Sequence, residues 1–284
     1  MTEFVFLDLD DTILDFHVAE RIALAKTLSH FGVEPTAAVV ERYHIINRQH
    51  WERLERGELT RDQVQEGRFR VLFAELGREA DPVAITRNYE KNLGMGHYFL
   101  PGAQEAVQAL SRHHRLFLAS NGTASVQHSR LTSAGLYPYF EKVFISQEIG
   151  YNKPSKEFFQ SCFAQIPHFC KENAIMVGDS LTSDILGGVN AGIRTCWCNP
   201  EHLPGRADIR PDYEIASLSQ LEAILYPKSW RASVCACPPN FMWPEVGYCW
   251  QWGYSPGTAE WGALPSEGYC LPGYTPPAGR NSSV

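Results

Sequence analysis

Asp8-Leu9-Asp10-Asp11-Thr12 follows directly on the apolar run Phe4-Val5-Phe6-Leu7. Carboxylates this close together repel one another and raise one another's pKa. A divalent cation relieves that repulsion, and a set of hard oxygen donors suits Mg²⁺. The competing explanation is a turn with capping aspartates, since Asp favours both turns and helix N-caps.

Three later clusters bear on that choice. Ser120-Asn121-Gly122-Thr123 offers a hydroxyl, an amide and a flexible glycine ahead of a helical stretch, where backbone N–H groups can cradle a phosphate. An ordinary N-cap would look the same. In Gly150-Tyr151-Asn152-Lys153-Pro154 a lysine is locked before proline beyond an apolar run, well placed to meet an anion. Lys156 falls on the exposed side of the next helix. In Gly178-Asp179-Ser180-Leu181-Thr182-Ser183-Asp184, Asp184 would serve as a helix cap. Asp179 follows the apolar Ile175–Val177 directly and belongs deep in a crevice.

The elements that must position these groups alternate. Short apolar runs at 4–7, 116–119, 143–145, 174–177 and 195–198 read as strands covered on both faces. Amphipathic stretches at 103–112, 125–134, 156–163 and 184–191 read as helices, with Gly135 and Gly192 where two of them would stop. That rhythm predicts an α/β fold, a Rossmann-like parallel sheet with helices on both faces, binding its ligand beyond the carboxyl ends of the strands. Residues 17–94 break the rhythm. Val18, Ile22, Ala25 and Leu28, then Tyr43, Asn47 and Trp51, then Phe69, Phe73 and Leu76 recur at helical spacing. An inserted helical cap is expected there, flanked by a core of 1–16 and 95–228.

Asp8-x-Asp10-x-Thr12, Ser120, Lys153 and Gly178-Asp179-x4-Asp184, in this order at successive strand ends, resemble the four motifs of the haloacid dehalogenase superfamily. The likeness covers about residues 3–226. Asn47…Trp51, Gly57-Glu58-Leu59-Thr60, Gln65-Glu66-Gly67-Arg68-Phe69 and the segment Met176–Gly192 are further similar to pyrimidine 5′-nucleotidases of the YjjG/YfnB type. The resemblance implies a Mg²⁺-dependent phosphomonoester hydrolase acting on a small phosphorylated metabolite such as a nucleoside monophosphate. It implies Asp8 as nucleophile and Asp10 as acid and base. Asp8, the Asp10 carbonyl and Asp179 would hold the metal, Ser120, Asn121 and Lys153 the phosphate, and Asp184 would support Lys153 or a metal-bound water. The dehalogenase branch lacks an aspartate at the position of Asp10, so Asp10 favours phosphoryl transfer. Substrate choice is expected from the cap, through Asn47, Trp51 and Arg68; the bland alternative makes Trp51 cap core and pairs Arg68 with a glutamate. Phosphatases of other metabolites (a phosphosugar or phosphoglycolate), a phosphomutase, and a binding or scaffold protein on the same fold are the rival readings.

Composition sets outer limits. Hydrophobic residues make up 44% of the 284 residues and charged residues 20%, enough for a sizeable core. A net charge of −7 argues against nucleic-acid polymers and anionic membranes as partners. Apolar runs are strand-sized and the first ten residues carry no basic leader, so a cytoplasmic protein with reduced cysteines is expected. Cys196 and Cys198, two apart, share one face of a strand and read as core thiols. The histidines show no ligand spacing. Residues 229–284 differ in kind, holding Cys235, Cys237, Cys249 and Cys270 and five of the seven tryptophans. A poorly ordered extension, a disulfide-stapled module and a zinc site are the readings for this tail, the last weakened by the absence of histidine there.

Overall fold

The computed structural model describes residues 2–225. The tail of 229–284, with its cysteines, lies outside them. Chain order is β1 (Phe4–Leu7), then helices α1 (Phe16–His30), α2 (Ala37–Glu55), α3 (Arg61–Glu75) and α4 (Pro82–Leu93). Next come α5 (Ala103–Leu110), β2 (Arg115–Ser120), α6 (Ala124–Ser133), β3 (Lys142–Ile145), α7 (Ser146–Ile149) and α8 (Lys156–Phe163). The chain continues through β4 (Ala174–Gly178), α9 (Leu186–Ala191), β5 (Arg194–Cys198), β6 (Tyr213–Ile215) and α10 (Leu221–Leu225).

The strands form one parallel sheet in the order β3-β2-β1-β4-β5-β6. From β1 the chain winds outward through β2 and β3, then returns to place β4 on the other side of β1. The space beyond the ends of β1 and β4 is therefore the switch point where such sheets hold ligands. Leu7 pairs with Val177 and with Leu118, so Asp8, Asp179 and Ser120 emerge at nearly the same height.

Strand residues alternate between two cores, as a period of two requires. Val5, Leu7, Leu118, Val177, Cys196 and Cys198 face α5 and α10. Phe4, Phe6, Phe117, Phe144 and Met176 face the phenylalanines of α8. On that side Phe117 stacks on Phe6 with ring centroids 5.1 Å apart and on Phe144 at 6.2 Å.

Helices α1–α4 bury a third cluster of their own around Tyr43, Phe69 and Tyr89. Their starts are set locally: Asp15, Thr36, Thr60 and Asp81 each cap with a side-chain oxygen, and Thr60 with Gln63 forms a capping box. The buried face of α1 differs from the expected one. Ala19, Ala23, Leu24 and Leu28 point inward, while Val18, Ile22 and Ala25 are half-buried. Small residues let this helix pack closely, and its inward Glu20 is satisfied by polar partners, neither of which apolar spacing reveals. The strand β6 was not foreseen either: three residues with one buried side chain carry too short an apolar signal. Among the described residues no helix is long and apolar enough to cross a membrane.

Phe117→Ala removes a fully buried ring from the larger aromatic layer. The expected loss is about 3–5 kcal/mol of unfolding free energy, measurable by urea denaturation; a change under about 1 kcal/mol would contradict the packing described.

Candidate active site

A cavity of about 760 Å³ opens beyond the ends of β1, β2 and β4, and Asp8, Asp10, Ser120, Lys153, Asp179 and Asp184 all line it. Asp8 leaves β1 buried, its backbone N–H donating to the Val177 carbonyl at 3.0 Å. Asp11, three residues further on, takes a left-handed conformation (φ +52°), which Asp tolerates better than most residues. This turn sends the chain into α1, with Asp11 accepting from the Phe16 N–H at 2.9 Å.

Lys153 is the organising cation. Its ammonium donates to Asp8 Oδ1, Asp184 Oδ1 and the Ala119 carbonyl, each at 2.6 Å, from a position 1% exposed. Burial alone would lower its pKa; Asp184 and Asp8 outweigh that and hold it above the ordinary lysine value. Asp8, Asp179 and Asp184 bring carboxylate oxygens within 4.8 Å of one another. Burial, then the neighbouring Asp184 and Asp10 charges, push Asp8 up to about 7 despite Lys153. Burial, Asp184 and Asp8 raise Asp179 well above the usual carboxylate range. Three carboxylates thus face one ammonium, an imbalance that a hard divalent cation with oxygen ligands corrects.

Local structure explains why Asp184 joins the cluster. After Ser180 the chain makes a π turn over Leu181–Ile185 before α9 begins. The sequence had placed a helix start at Asp184. The wider turn instead brings its carboxylate back to Lys153, and Oδ2 accepts from the Ser180 N–H at 3.1 Å. Gly178 is required here because a Cβ would sit on the Asp184 carboxylate. The Trp197 indole fixes the neighbouring backbone by donating to the Asp179 carbonyl at 2.7 Å.

Two of the expected site residues have their side chains committed to neighbours. The Asn121 side chain is committed: its Nδ2 donates to the Lys153 carbonyl (2.9 Å) and Ser183 Oγ (3.2 Å), and its Oδ1 accepts from the Lys153 N–H (2.9 Å). It clips the lysine loop in place, so only its backbone N–H remains for an anion. The Asp10 carboxylate stands apart from the other three and pairs with Arg130 and Gln127, leaving its backbone carbonyl as the part that can reach a metal.

The helical insertion supplies the opposite wall. Asn47 and Arg68 line the cavity as expected, both buried, with Arg68 Nη1 donating to Asn47 Oδ1 at 2.8 Å. Asn47 Nδ2 in turn donates to Glu20 Oε1 at 2.7 Å. Trp51 is half-buried on the same wall, near the Arg61 guanidinium. Glu20, Arg61, Gln127 and Arg130 escaped the sequence reading. Arg61, the first residue of α3, crosses to the sheet side: it donates to the Asn121 carbonyl (2.8 Å), Ser146 Oγ (2.6 Å) and Asn152 Oδ1 (2.8 Å). Glu55 makes a second crossing, accepting from Thr182 Oγ1 at 2.7 Å.

This sheet, with acidic groups at its switch point and a helical block over them, is the arrangement of one large hydrolase class, and the chain belongs to the haloacid dehalogenase-like hydrolases, whose family pattern matches residues 2–192. It is 38% identical over 220 residues to the pyrimidine 5′-nucleotidase PynA of Streptococcus pneumoniae, covering 77% of this chain and 93% of that protein. The pyrimidine 5′-nucleotidase YjjG of Escherichia coli K12 is 31% identical, with coverage of 78% and 97%. The crystal structure of the putative hydrolase YfnB from Bacillus subtilis, bound to magnesium and reported to reveal interdomain movement, superposes with a TM-score of 0.77 at 38% identity, covering 80% of this chain and 99% of that one.

The charge imbalance makes a measurable linkage. Asp8 rises from 3.8 to about 7 on folding, so the metal-free native state holds its proton more tightly than the unfolded chain. The stability this supplies is present below about pH 4 and is lost as pH rises through about 7. In chelator, wild type should lose a few kcal/mol relative to Asp8→Asn across that window, and Mg²⁺ should flatten the difference. Parallel melting curves for the two proteins would contradict the assignment.

Proposed function

We propose that this hydrolase cleaves phosphoric monoesters through an aspartyl-phosphate on Asp8, with pyrimidine nucleoside 5′-monophosphates as its substrates. One observation carries the reading: Asp8 sits against Lys153 in an acidic, water-accessible crevice, and Asp10, two residues on, lines the same crevice. The nucleotidase relatives supply the substrate class.

Substrate enters with its phosphoryl group toward the ends of β1 and β2. Lys153 and the Ser120 hydroxyl bind phosphoryl oxygens as charge develops on them, and the Asn121 N–H adds a backbone donor. Lys153 also holds Asp8 with one oxygen occupied, leaving the other to attack phosphorus. The new bond joins an Asp8 oxygen to phosphorus; the bond from phosphorus to the nucleoside oxygen breaks, and Asp10 gives that oxygen a proton. Water then attacks the intermediate, Asp10 takes its proton, and Asp8 departs as a carboxylate. Asp8, Asp179 and the Asp10 carbonyl would hold Mg²⁺, which when bound cancels repulsion between the attacking carboxylate and the phosphoryl oxygens. Asp184 orients Lys153.

The helical block acts as a cap over residues 17–94, closing on the crevice through Arg61 and Glu55. Its Trp51 presents an aromatic face to the nucleoside, and the Asn47–Arg68 pair presents polar hydrogen.

Purified protein should release phosphate from pyrimidine monophosphates with Mg²⁺ faster than from phosphosugars or phosphoglycolate, and lose that activity in chelator. Asp8→Asn should lower turnover by more than about 10³-fold while retaining the fold; substantial residual turnover would assign the attack elsewhere. Trp51→Ala should raise KM for the nucleotide about 10-fold, the worth of one lost stacking contact, with little change for a small aryl phosphate. An equal effect on both would remove Trp51 from base recognition.

A further inference from the structure

Arg130 lies on α6 with no solvent exposure, a costly place for a guanidinium whose only carboxylate contact among the described residues is to Asp10. Its Nη1 donates to Asp10 Oδ1 and, at 3.1 Å, to Gln127 Oε1; its Nε donates to the Gly96 carbonyl at 2.7 Å. Its Nη2 is buried with no partner among the described residues, so the placement is poor as a stabilising device. Gln127, 1% exposed, donates through Nε2 to Asp10 Oδ2 at 2.6 Å and to Ser120 Oγ at 2.9 Å.

The polarity of this chain of contacts is determined. Arginine only donates, so the group of Gln127 that meets it must be the carbonyl, and the amide nitrogen must face Asp10 and Ser120. Ser120 Oγ then accepts from both Gln127 and the Gly122 N–H (3.0 Å). With its oxygen so used, its proton is left to be donated elsewhere, toward the crevice it lines. Asp10 has one donor on each oxygen and keeps one lone pair on each for a transferable proton. A Cβ at residue 122 would meet the Gln127 amide, so the glycine leaves room for this arrangement.

We propose that Arg130 and Gln127 are positioning residues for phosphoryl transfer: together they fix the Asp10 carboxyl beside the crevice and turn the Ser120 proton toward the substrate. The inference rests on the reading of Asp10 as proton donor given above. In the step it serves, the bond from phosphorus to the leaving oxygen breaks as Asp10's proton passes to that oxygen and the Asp8–phosphorus bond forms.

Leaving-group dependence separates this role from a merely structural one. An alkoxide such as a nucleoside oxygen needs the proton; 4-nitrophenolate does not. Gln127→Leu and Arg130→Lys, each checked for folding by circular dichroism and melting, are compared with wild type on the best alkyl phosphate and on the first turnover of 4-nitrophenyl phosphate. Arg130→Lys keeps the charge and loses the planar fork. The expected result is that the ratio of alkyl to aryl rates falls roughly 100-fold, the usual worth of a positioned general acid. Equal losses on both substrates, or an unchanged ratio in folded Gln127→Leu, overturn the inference. Failure of wild type to hydrolyse any alkyl phosphate would instead overturn the functional reading, so the two failures are distinguishable.

Discussion

The structure turns on one buried ammonium. Lys153 holds Asp8 and Asp184 at equal distances, and without it three carboxylates would share a pocket largely removed from water. Burial first, and the neighbouring carboxylates after it, hold Asp8 and Asp179 above the usual carboxylate range, so one ammonium does not balance the cluster. The site therefore carries an excess of negative charge that a divalent cation is chemically suited to balance. Everything nearby serves to keep the lysine in place: the Ala119 carbonyl receives its third proton, and the Asn121 amide grips its backbone from both sides.

Such an excess is tolerable because the sheet beneath it is conventional. Both faces bury apolar side chains in strict alternation, and the like charges gather only where β1 and β4 stop at the switch point. Two departures from regular backbone fall at the same place, while the other left-handed non-glycine residues of the described chain, His168 and His202, lie in loops away from it. Asp11 takes a left-handed conformation where the chain leaves β1, and the π turn at 181–185 re-aims Asp184. A left-handed residue such as Asp11 is of the kind found where function rather than stability selects a conformation.

Much of the central sheet was legible in the sequence because its strands are continuous apolar runs and two of its helices stop at glycines, Gly135 and Gly192. The acidic cluster was legible too, since strand ends place Asp8 and Asp179 side by side almost regardless of detail. What the sequence concealed were side chains whose partners are distant along the chain. Arg130 and Asp10 are 120 residues apart, Arg61 and Asn152 91 apart. A buried arginine on a helix looks like any surface arginine until its partner is known. Glu20 was hidden for the same reason: it occupies the inward face of α1 only because Asn47 and His44 meet its carboxylate. The contact of the Asn121 side-chain amide with the lysine loop was hidden in the same way.

Three buried or part-buried side chains, Arg61, Glu55 and Arg130, tie the loops at the strand ends to the helical block or to the segment that leads out of it. Arg61 reaches the loops carrying Ser120 and Lys153; Glu55 reaches the π turn; Arg130 holds Asp10 with one arm and the Gly96 carbonyl, just past α4, with another. These contacts are hydrogen bonds and an ion pair rather than apolar packing, so they can break singly and be replaced by water when the block moves. The crossings end on Asp10 itself, on the Asn121 carbonyl beside Ser120, on Asn152 beside Lys153 and on Thr182 of the π turn, so on the proposed reading a movement of the block would disturb the alignment of the chemical groups.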